Sequence, residues 1–285
     1  MTMSLPAETA QRLRAVLGPR LSETAADRDH HAQSEAFHRS PPPDAVAWPE
    51  TAEEVSRILG ICNEAGVPVI AWGTGTSLEG HALPLSGGLS LDLSRMDRVV
   101  EVRAEDMQAS VQPGVTREAL NTELRATGLF FPVDPGAECT IGGMAGNNSC
   151  GARSLRYGKM VDNVLSIDAI LPDGEAMRFG PVPGNPDAAA GSPGFLDLVR
   201  RVRAVAGREA AEVEARFPKV QRRVGGYNLD SVVPGDGLGG NNMAHLLVGS
   251  EGTLAFTTRV ELEVQPVPTH RVLGVCHFPT FRSAM

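Results

Sequence analysis

Three glycine-rich segments limit what this sequence can fold into more than any other feature. They read GTGTSLEG at residues 73–80, PGAECTIGGMAGNNSCG at 135–151 and GSEGT at 249–253, and are called here the first, second and third glycine segments. Glycine lets the backbone approach a ligand with no Cβ in the way, and serine and threonine hydroxyls add hydrogen-bond donors. Consecutive N–H groups in such turns form a concave anion site, which suits a pyrophosphate.

Two well-known phosphate motifs do not fit the first glycine segment. A Walker loop needs Gly-Lys-Ser/Thr after its glycines, and that sequence is absent. A dinucleotide fingerprint needs its third glycine where Leu78 stands, and Gly80 comes two residues late. Asp92 has a suitable spacing for a ribose-binding acid, but a strand-loop-strand context is wrong for that motif.

Taken alone, the first glycine segment is equally compatible with a tight loop that binds nothing. The second segment changes this balance, because Ile141 and Met144 place apolar contacts beside many backbone and side-chain donors. This mixture favours a long ligand with a diphosphate and a flat ring, such as a flavin dinucleotide. With the third segment added, a ligand-free interpretation of all three is disfavoured.

The surrounding sequence predicts mixed helices and strands, an α+β fold. Thr51 and Glu54 form a capping box, and a helix follows that ends at Gly66. Strands are predicted at 67–72, 89–93, 164–171, 175–179, 245–248 and 257–264, and further helices at 116–128 and 195–206. The buried side of the last helix is predicted to carry Phe195, Leu198, Val199, Val202 and Val205.

Composition excludes several classes of protein. The net charge of −8 argues against a nucleic-acid-binding surface, and the chain has no apolar run of about 18 residues that would cross a membrane. The four cysteines are scattered without a CxxC pair, which predicts neither a zinc site nor disulfides and favours a cytoplasmic setting. His30 and His31 are interpreted as solvated loop residues, and no metal ligand is predicted.

The glycine segments, in this order and spelling, resemble the FAD-binding domain of the vanillyl-alcohol-oxidase-like, PCMH-type flavoproteins. The stretches AWGTGTSLEG, NNSCGARSLRYGKMVDNV and LLVGSEGTLAFTTRVELEV are most similar to the branch that holds the D-type subunit of glycolate oxidase and the D-lactate dehydrogenases. The spelling RFPKVQRRVGGYNLDSV is similar to large FAD-linked dehydrogenases that carry an additional iron–sulfur part. The resemblance implies two packed α/β subdomains with FAD between them.

Residues 44–97 would form the first subdomain and 98–268 the second, after an N-terminal arm at 1–43. Residues 269–285 would begin a truncated substrate-capping domain with a strand, and we expect the chain to be part of a larger protein. The resemblance implies contacts from all three glycine segments to FAD. The expected cofactor-binding residues are Gly73, Thr74, Gly75, Thr76, Ser77, Gly80, His81, Pro135, Gly136, Thr140, Gly142, Gly143, Asn147, Asn148, Gly151, Ser154, Tyr157, Glu251, Gly252, Thr253 and Phe256.

Some relatives attach FAD covalently to a histidine in the first glycine segment. Gly75 and Thr76 occupy that region here, and His81 comes too late in the segment, so non-covalent FAD is expected. For Tyr157 a packing role is a strong alternative to a flavin contact, because a buried tyrosine often only packs and hydrogen-bonds. Cys139 and Cys150 are interpreted as small packing residues.

The implied reaction is the oxidation of a D-2-hydroxy acid, of the D-lactate, glycolate or D-2-hydroxyglutarate type, to the 2-oxo acid with FAD as hydride acceptor. The catalytic base, any metal ligand and any iron–sulfur cluster are expected beyond residue 285, in a downstream domain or a separate partner protein, and the electron acceptor is not specified. Two alternatives stay open: a FAD-carrying electron-transfer subunit of a larger dehydrogenase complex, and a non-catalytic flavin-binding module.

Overall fold

The structure is a computed structural model that describes residues 5–185, 189–233, 240–270 and 272–285. Its helices are α1 Ala7–Leu17, α2 Ala25–His30, α3 Ala52–Ala65, α4 Arg117–Leu124, α5 Ile141–Asn147, α6 Ser154–Tyr157, α7 Met160–Asn163, α8 Pro193–Arg208, α9 Ala210–Arg216, α10 Ala244–Leu247 and α11 Phe281–Ala284. Its strands are β1 Leu21–Ser22, β2 Ala45–Ala47, β3 Val69–Trp72, β4 Leu89–Asp92, β5 Val99–Arg103, β6 Gln108–Val111, β7 Leu129–Phe130, β8 Val164–Ile170, β9 Ala176–Phe179, β10 Pro181–Val182, β11 Asn241–Asn242, β12 Phe256–Glu263 and β13 Gln265–Pro266.

The first hydrophobic core surrounds a four-stranded sheet in the order β1-β2-β4-β3. Strand β4 pairs in parallel with β2 and β3, while β1 pairs with β2 in the antiparallel sense. Helix α3 covers this sheet and has the predicted ends: the Thr51 hydroxyl accepts a hydrogen bond from the Glu54 N–H, and Gly66 adopts a left-handed φ of +66°. The helix therefore holds β3 in place directly before the first glycine segment.

Residues 5–43 contribute to this core through α1 and β1. Leu13 and Leu17 of α1 are fully or almost fully buried in it, and Leu21 of β1 joins them. Burying one leucine contributes about 2 kcal/mol, so apolar packing holds α1 and β1 on this core. His31, predicted to be a solvated loop residue, is buried at 2% exposure, and that prediction is wrong.

The second hydrophobic core packs on a five-stranded antiparallel sheet in the order β5-β6-β12-β8-β9. The predicted hairpin of residues 164–179 is confirmed as the β8–β9 pair. Along β12, burial alternates strictly between consecutive residues, as expected for a strand with one face on the core. The mixture of a partly parallel and a fully antiparallel sheet confirms the α+β fold.

Strand β12 connects the two cores. Its first residue, Phe256, lies in the first core together with Ile170 of β8, whereas Val260 and Leu262 lie in the second. The third glycine segment ends immediately before this strand, so it lies at the junction of the two cores. The predicted boundaries at 43/44, 97/98 and 268/269 stay predictions.

Several local predictions differ from the structure. Residues 245–248 were expected to form a strand, but Ala244–Leu247 form the short helix α10. The second glycine segment is not irregular throughout, because it contains helix α5. Val205 in α8 was placed on the buried side and is 41% exposed, because the apolar stripe of this helix is narrower than its sequence indicates.

The predicted strand after residue 268 is also wrong. Residues 272–285 are exposed, and the regular structure described there is the helical turn α11. Within the described ranges, no helix is both long enough and apolar enough to cross a membrane.

Candidate cofactor-binding site

The three glycine segments meet at one cleft between the two cores. This cleft encloses about 830 Å³ of space, open solvent at its mouth included. Its walls contain most of the predicted cofactor-binding residues. They are Gly73, Thr74, Gly75, Thr76, Ser77, His81, Thr140, Gly142, Gly143, Asn147, Glu251, Gly252 and Phe256.

The first glycine segment leaves β3 and presents its backbone to the cleft. Among the residues that the structure describes, no protein acceptor receives a hydrogen bond from the N–H groups of residues 73–77. Gly75 has a left-handed φ of +68°, which bends the chain so that successive N–H groups come close together. Five neighbouring donors without a protein partner suit an anion with several oxygens, such as a diphosphate.

The second glycine segment enters the cleft as the start of helix α5. Thr140 caps this helix by accepting a hydrogen bond from the Gly143 N–H at 3.2 Å. Gly142 lies against Pro113, since a Cβ at this glycine would come within 2.6 Å of the proline Cβ. The helix start is therefore packed directly on the end of β6, and only glycine allows this approach.

Contacts between the first and second segments close one side of the cleft. A Cβ at Gly73 would lie 2.7 Å from the Thr140 hydroxyl oxygen, so the backbone at Gly73 passes directly against the Thr140 side chain. The Thr74 hydroxyl donates to the Glu138 carbonyl at 3.3 Å. The Asn147 amide donates to the Ser77 hydroxyl, also at 3.3 Å. These contacts fix the position of the anion-binding turn relative to α5.

The third glycine segment is hydrogen-bonded to the other end of α5. The Gly249 N–H donates to the Ala145 carbonyl at 2.8 Å, and the Glu251 N–H donates to the Gly146 carbonyl at 3.0 Å. Glu251 adopts a left-handed φ of +52°, which is uncommon for a residue with a side chain. This conformation brings its carboxylate to the cleft beside the first segment.

An apolar cleft of about 1040 Å³, measured with its open mouth, adjoins the first one. Val67, Val69, Ile170 and Thr253 are among its lining residues. The two clefts share His81 and residues from β3, the third glycine segment and the start of β12. The shared residues are Ala71, His81, Glu251, Gly252, Ala255 and Phe256. Together they form a long groove that is polar at one end and apolar at the other.

Glu79, His81 and Glu251 form a charged cluster at the point where the clefts join. One oxygen or nitrogen from each lies within 4.8 Å of the others, a spacing that could hold a metal ion, although the sequence predicted no ligand and that prediction stays open. Burial lowers the pKa of His81, against the opposing charge of Glu79. Burial also raises the pKa of Glu251, helped by the Glu79 charge, whereas the Ser77 hydroxyl lowers the pKa of Glu79.

Several predicted cofactor-binding residues lie outside the walls of the first cleft or behind them. Thr253 lines the apolar cleft instead. Gly80 occupies a turn with φ +81°, next to Leu83. Pro135 is partly buried and Gly136 is exposed, with nothing within 4 Å of a Cβ at the glycine.

The others support the second segment from behind. Asn148 is fully buried and accepts a hydrogen bond from the Val161 N–H at 3.0 Å. Gly151 crosses the backbone of Asp134 so closely that a Cβ would lie 1.8 Å from its carbonyl oxygen. The Ser154 hydroxyl donates to the Gly151 carbonyl. Tyr157 packs edge-on against Phe130 with the ring centres 5.6 Å apart, as expected for the packing role that was the alternative to a flavin contact.

Sequence reasoning missed several residues that line the cleft. Trp72, Pro113, Leu247 and Ser250 belong to its walls. Trp72 and Ser250 could have been found, since Trp72 directly precedes the first glycine segment and Ser250 belongs to the third. Pro113 follows β6 and Leu247 belongs to α10, and only the tertiary fold brings them to the cleft.

The groove fits an extended dinucleotide. It offers a row of backbone donors for a diphosphate, an apolar compartment beside it for a flat ring, and close backbone packing that a Cβ would disrupt at Gly73 and Gly142. Residues 43–180 match the family model described as an FAD binding domain. Just under half of this chain is therefore similar to that FAD-binding family.

Relatives of known name are similar over most of this chain. A probable mitochondrial D-lactate dehydrogenase of Danio rerio is 37% identical over 93% of this chain and 44% of its own length. The glycolate oxidase subunit GlcD of Bacillus subtilis is 32% identical over 79% of this chain and 38% of its own length. This FAD-binding chain thus spans less than half the length of these relatives.

Solved structures agree on the fold. An alkyldihydroxyacetonephosphate synthase superposes on 94% of this chain and 42% of its own, with a TM-score of 0.67 and 22% identity. At that identity the likeness concerns the fold alone, and it confirms the expected PCMH-type architecture of the FAD-binding domain.

Proposed function

We propose that this chain is the FAD-binding portion of a flavin-dependent oxidoreductase that converts a D-2-hydroxy acid into its 2-oxo acid. One observation carries the proposal: three glycine segments, far apart in sequence, converge on one groove whose backbone donors have no protein acceptor among the described residues. The similarity to a D-lactate dehydrogenase and to a glycolate oxidase subunit supports the choice of substrate class.

In this proposal the residues of the groove divide the cofactor between them. The N–H groups of residues 73–77 would bind the diphosphate, and the apolar cleft beside Phe256 would receive the adenosine half. Thr140 and Asn147 would face the ribityl chain and the flavin ring. When bound, FAD supplies the hydride acceptor for the hydroxyl-bearing carbon.

In this proposal the protein groups orient the cofactor, and two carboxylates act against it. The carboxylates of Glu79 and Glu251 lie close to the proposed diphosphate position and would repel it. The raised pKa of Glu251 would lessen this repulsion, whereas burial favours the uncharged form of His81, which offers no positive charge against it. We assign no catalytic base.

Non-covalent attachment of FAD is part of the proposal. Gly75 and Thr76 lie where a linking histidine would be needed, and His81 is 3.6 Å from Glu251 at the junction of the clefts. Precipitating the FAD-loaded protein with trichloroacetic acid should leave the yellow flavin in the supernatant. A yellow pellet would contradict this part of the proposal.

The main experiment measures cofactor binding and reduction separately. The purified 285-residue chain is incubated with FAD, and binding is followed by the flavin absorbance and by the change in flavin fluorescence. D-lactate, glycolate and D-2-hydroxyglutarate are then added without oxygen, with L-lactate as the matched control. A chain that remains colourless with excess FAD refutes the proposal.

Flavin bleaching by a D-2-hydroxy acid, and not by L-lactate, would support the full proposal. We expect slow turnover by this chain alone, because the substrate-binding groups are predicted elsewhere in the protein. FAD binding with no bleaching, together with co-purification of a molybdenum partner, would instead favour the electron-transfer role. An iron–sulfur partner and a cytoplasmic location stay proposals.

A further inference from the structure

A buried histidine lies behind the first glycine segment. The His31 side chain is 3% exposed, and its two ring nitrogens both have oxygen partners. Nδ1 lies 2.7 Å from the Asp27 carbonyl, and Nε2 lies 2.9 Å from an Asp92 carboxylate oxygen. A carbonyl and a carboxylate only accept hydrogen bonds, so each ring nitrogen of His31 faces an acceptor, and a bond from Nε2 to Asp92 is assisted by the carboxylate charge.

Asp92 gathers the hydrogen bonds of this region. The oxygen that accepts from His31 also accepts from the Trp48 indole N–H at 2.9 Å, and the other oxygen accepts from the Ser94 N–H at 2.8 Å. Burial alone would raise the pKa of Asp92, but the hydrogen bonds from His31 and Ser94 outweigh it and lower that pKa. Asp92 is the residue of β4 that stands opposite Trp72 of β3.

Trp72 transmits this arrangement to the glycine segment. The centres of the His31 and Trp72 rings are 4.8 Å apart. Trp72 also lies directly against Gly75, where a Cβ would come within 2.8 Å of the indole ring. The Glu35 N–H donates to the Gly75 carbonyl at 3.1 Å, so the chain after His31 also holds the segment directly.

We propose that residues 25–36 form the rear wall of the FAD site and that His31 is a positioning residue for the first glycine segment. The inference rests on the proposed function for the identity of the ligand. It extends the site, because the matched FAD-binding family model begins at residue 43. Without the His31–Asp92 pair, Trp72 loses its support and the donors of residues 73–77 no longer converge.

The test compares FAD affinity in the wild-type chain, His31→Ala and His31→Gln by flavin fluorescence, well below the unfolding temperature of each. We expect the dissociation constant to rise about ten- to hundredfold in His31→Ala, the range for losing a charge-assisted hydrogen bond. His31→Gln should recover most of the affinity, because its amide nitrogen can donate to Asp92 in place of Nε2.

Leu17→Ala serves as the matched control, since Leu17 is buried in the same core on α1. It should lower the unfolding temperature without changing the FAD dissociation constant by more than about twofold. As a second measurement, FAD should slow hydrogen exchange of the Glu35 amide, because a ligand that stabilises the segment also stabilises what holds it.

Three results would overturn the inference. They are wild-type affinity in His31→Ala, a loss of affinity in Leu17→Ala as large as in His31→Ala, and a Glu35 exchange rate that FAD leaves unchanged. A wild-type chain that binds no FAD at all would overturn the proposed function and this inference with it. That outcome is told apart from a failure of the inference alone, because it is seen in the wild-type chain before any substitution is made.

Discussion

Replacing Gly142 by alanine tests how rigidly the cofactor groove is built. Alanine would favour helix α5 by about 1 kcal/mol, because glycine is the poorer helix former. Its Cβ, however, would lie 2.6 Å from the Cβ and 3.0 Å from the carbonyl oxygen of Pro113. Since carbon atoms pack at about 3.5–4.0 Å, the start of α5 must move by roughly 1 Å away from β6.

Such a movement costs about 1–3 kcal/mol of overpacking, so the net loss of folding stability is expected to be about 0–2 kcal/mol. The effect on FAD should be larger than this. Gly142 lines the cleft, and misplacing one or two hydrogen bonds to a charged ligand weakens binding by about 1.5–3 kcal/mol, or roughly 10- to 150-fold.

Gly225→Ala is the matched control, because Gly225 lies outside the three glycine segments, has nothing within 4 Å of a Cβ and has no left-handed φ. Urea unfolding and titration with FAD are measured for both variants. We expect Gly225→Ala to behave as wild type in both. If Gly142→Ala binds FAD as tightly as wild type, the packing of α5 on Pro113 does not fix the site and the reasoning fails.

Three further predictions follow from contacts near the groove. Arg20 donates to the Glu54 carboxylate and lowers the pKa of Glu54. The pair therefore stabilises the fold above the unfolded glutamate pKa of about 4.3, and this stabilisation is lost as the pH falls. In urea unfolding, the stability difference between wild type and Glu54→Gln should shrink between about pH 5 and 3. Thr140→Val should lose about 1 kcal/mol by removing the cap of the Gly143 N–H, and Thr140→Ser should keep it, as thermal unfolding would show. Burial lowers the pKa of His81, so the neutral histidine is compatible with the fold above about pH 6.5, and folding stability is lost as the pH falls and the ring must be protonated. In FAD-free protein, the unfolding free energy of His81→Gln should therefore depend less on pH between about 7 and 5 than that of wild type. An equal pH dependence of the two unfolding free energies would contradict this.

The sequence correctly predicted those parts of the fold that are determined by residues close together in the chain. The ends of α3 could be predicted because Thr51 and Gly66 act within one turn of the helix. The β8–β9 hairpin could be predicted from two apolar runs around Pro172-Asp173-Gly174. In both cases the residues that decide the structure are neighbours in the chain.

Tertiary packing decided the parts that were predicted wrongly. His31 follows a polar stretch and has no apolar pattern around it, and only its pairing with Asp92, 61 residues later, accounts for its burial. Helix α5 has glycines at three of its seven positions, and its packing on Pro113 and the Thr140 cap override their low helix propensity. At Ala244–Leu247 the short apolar run was compatible with either strand or helix.

The groove itself was predicted only as a set of segments. The sequences of these segments indicated which residues could bind a dinucleotide. No sequence pattern pointed to Pro113 or Leu247, which complete the walls of the cleft. The sequence also predicted that Asn148, Gly151 and Ser154 contact the cofactor. In the structure they hold the second segment from behind, and their contact with FAD stays a prediction.

Strand β12 has a mechanical consequence for cofactor loading. One continuous strand places Phe256 in the first core and Val260 in the second. A hinge motion that separates the two cores would therefore have to break the pairing of this strand in its sheet. Entry and exit of a dinucleotide must then use local opening of the glycine segments at the mouth of the groove. The rate of cofactor exchange should accordingly be slow and should be set by local opening of these segments, not by a movement of whole domains.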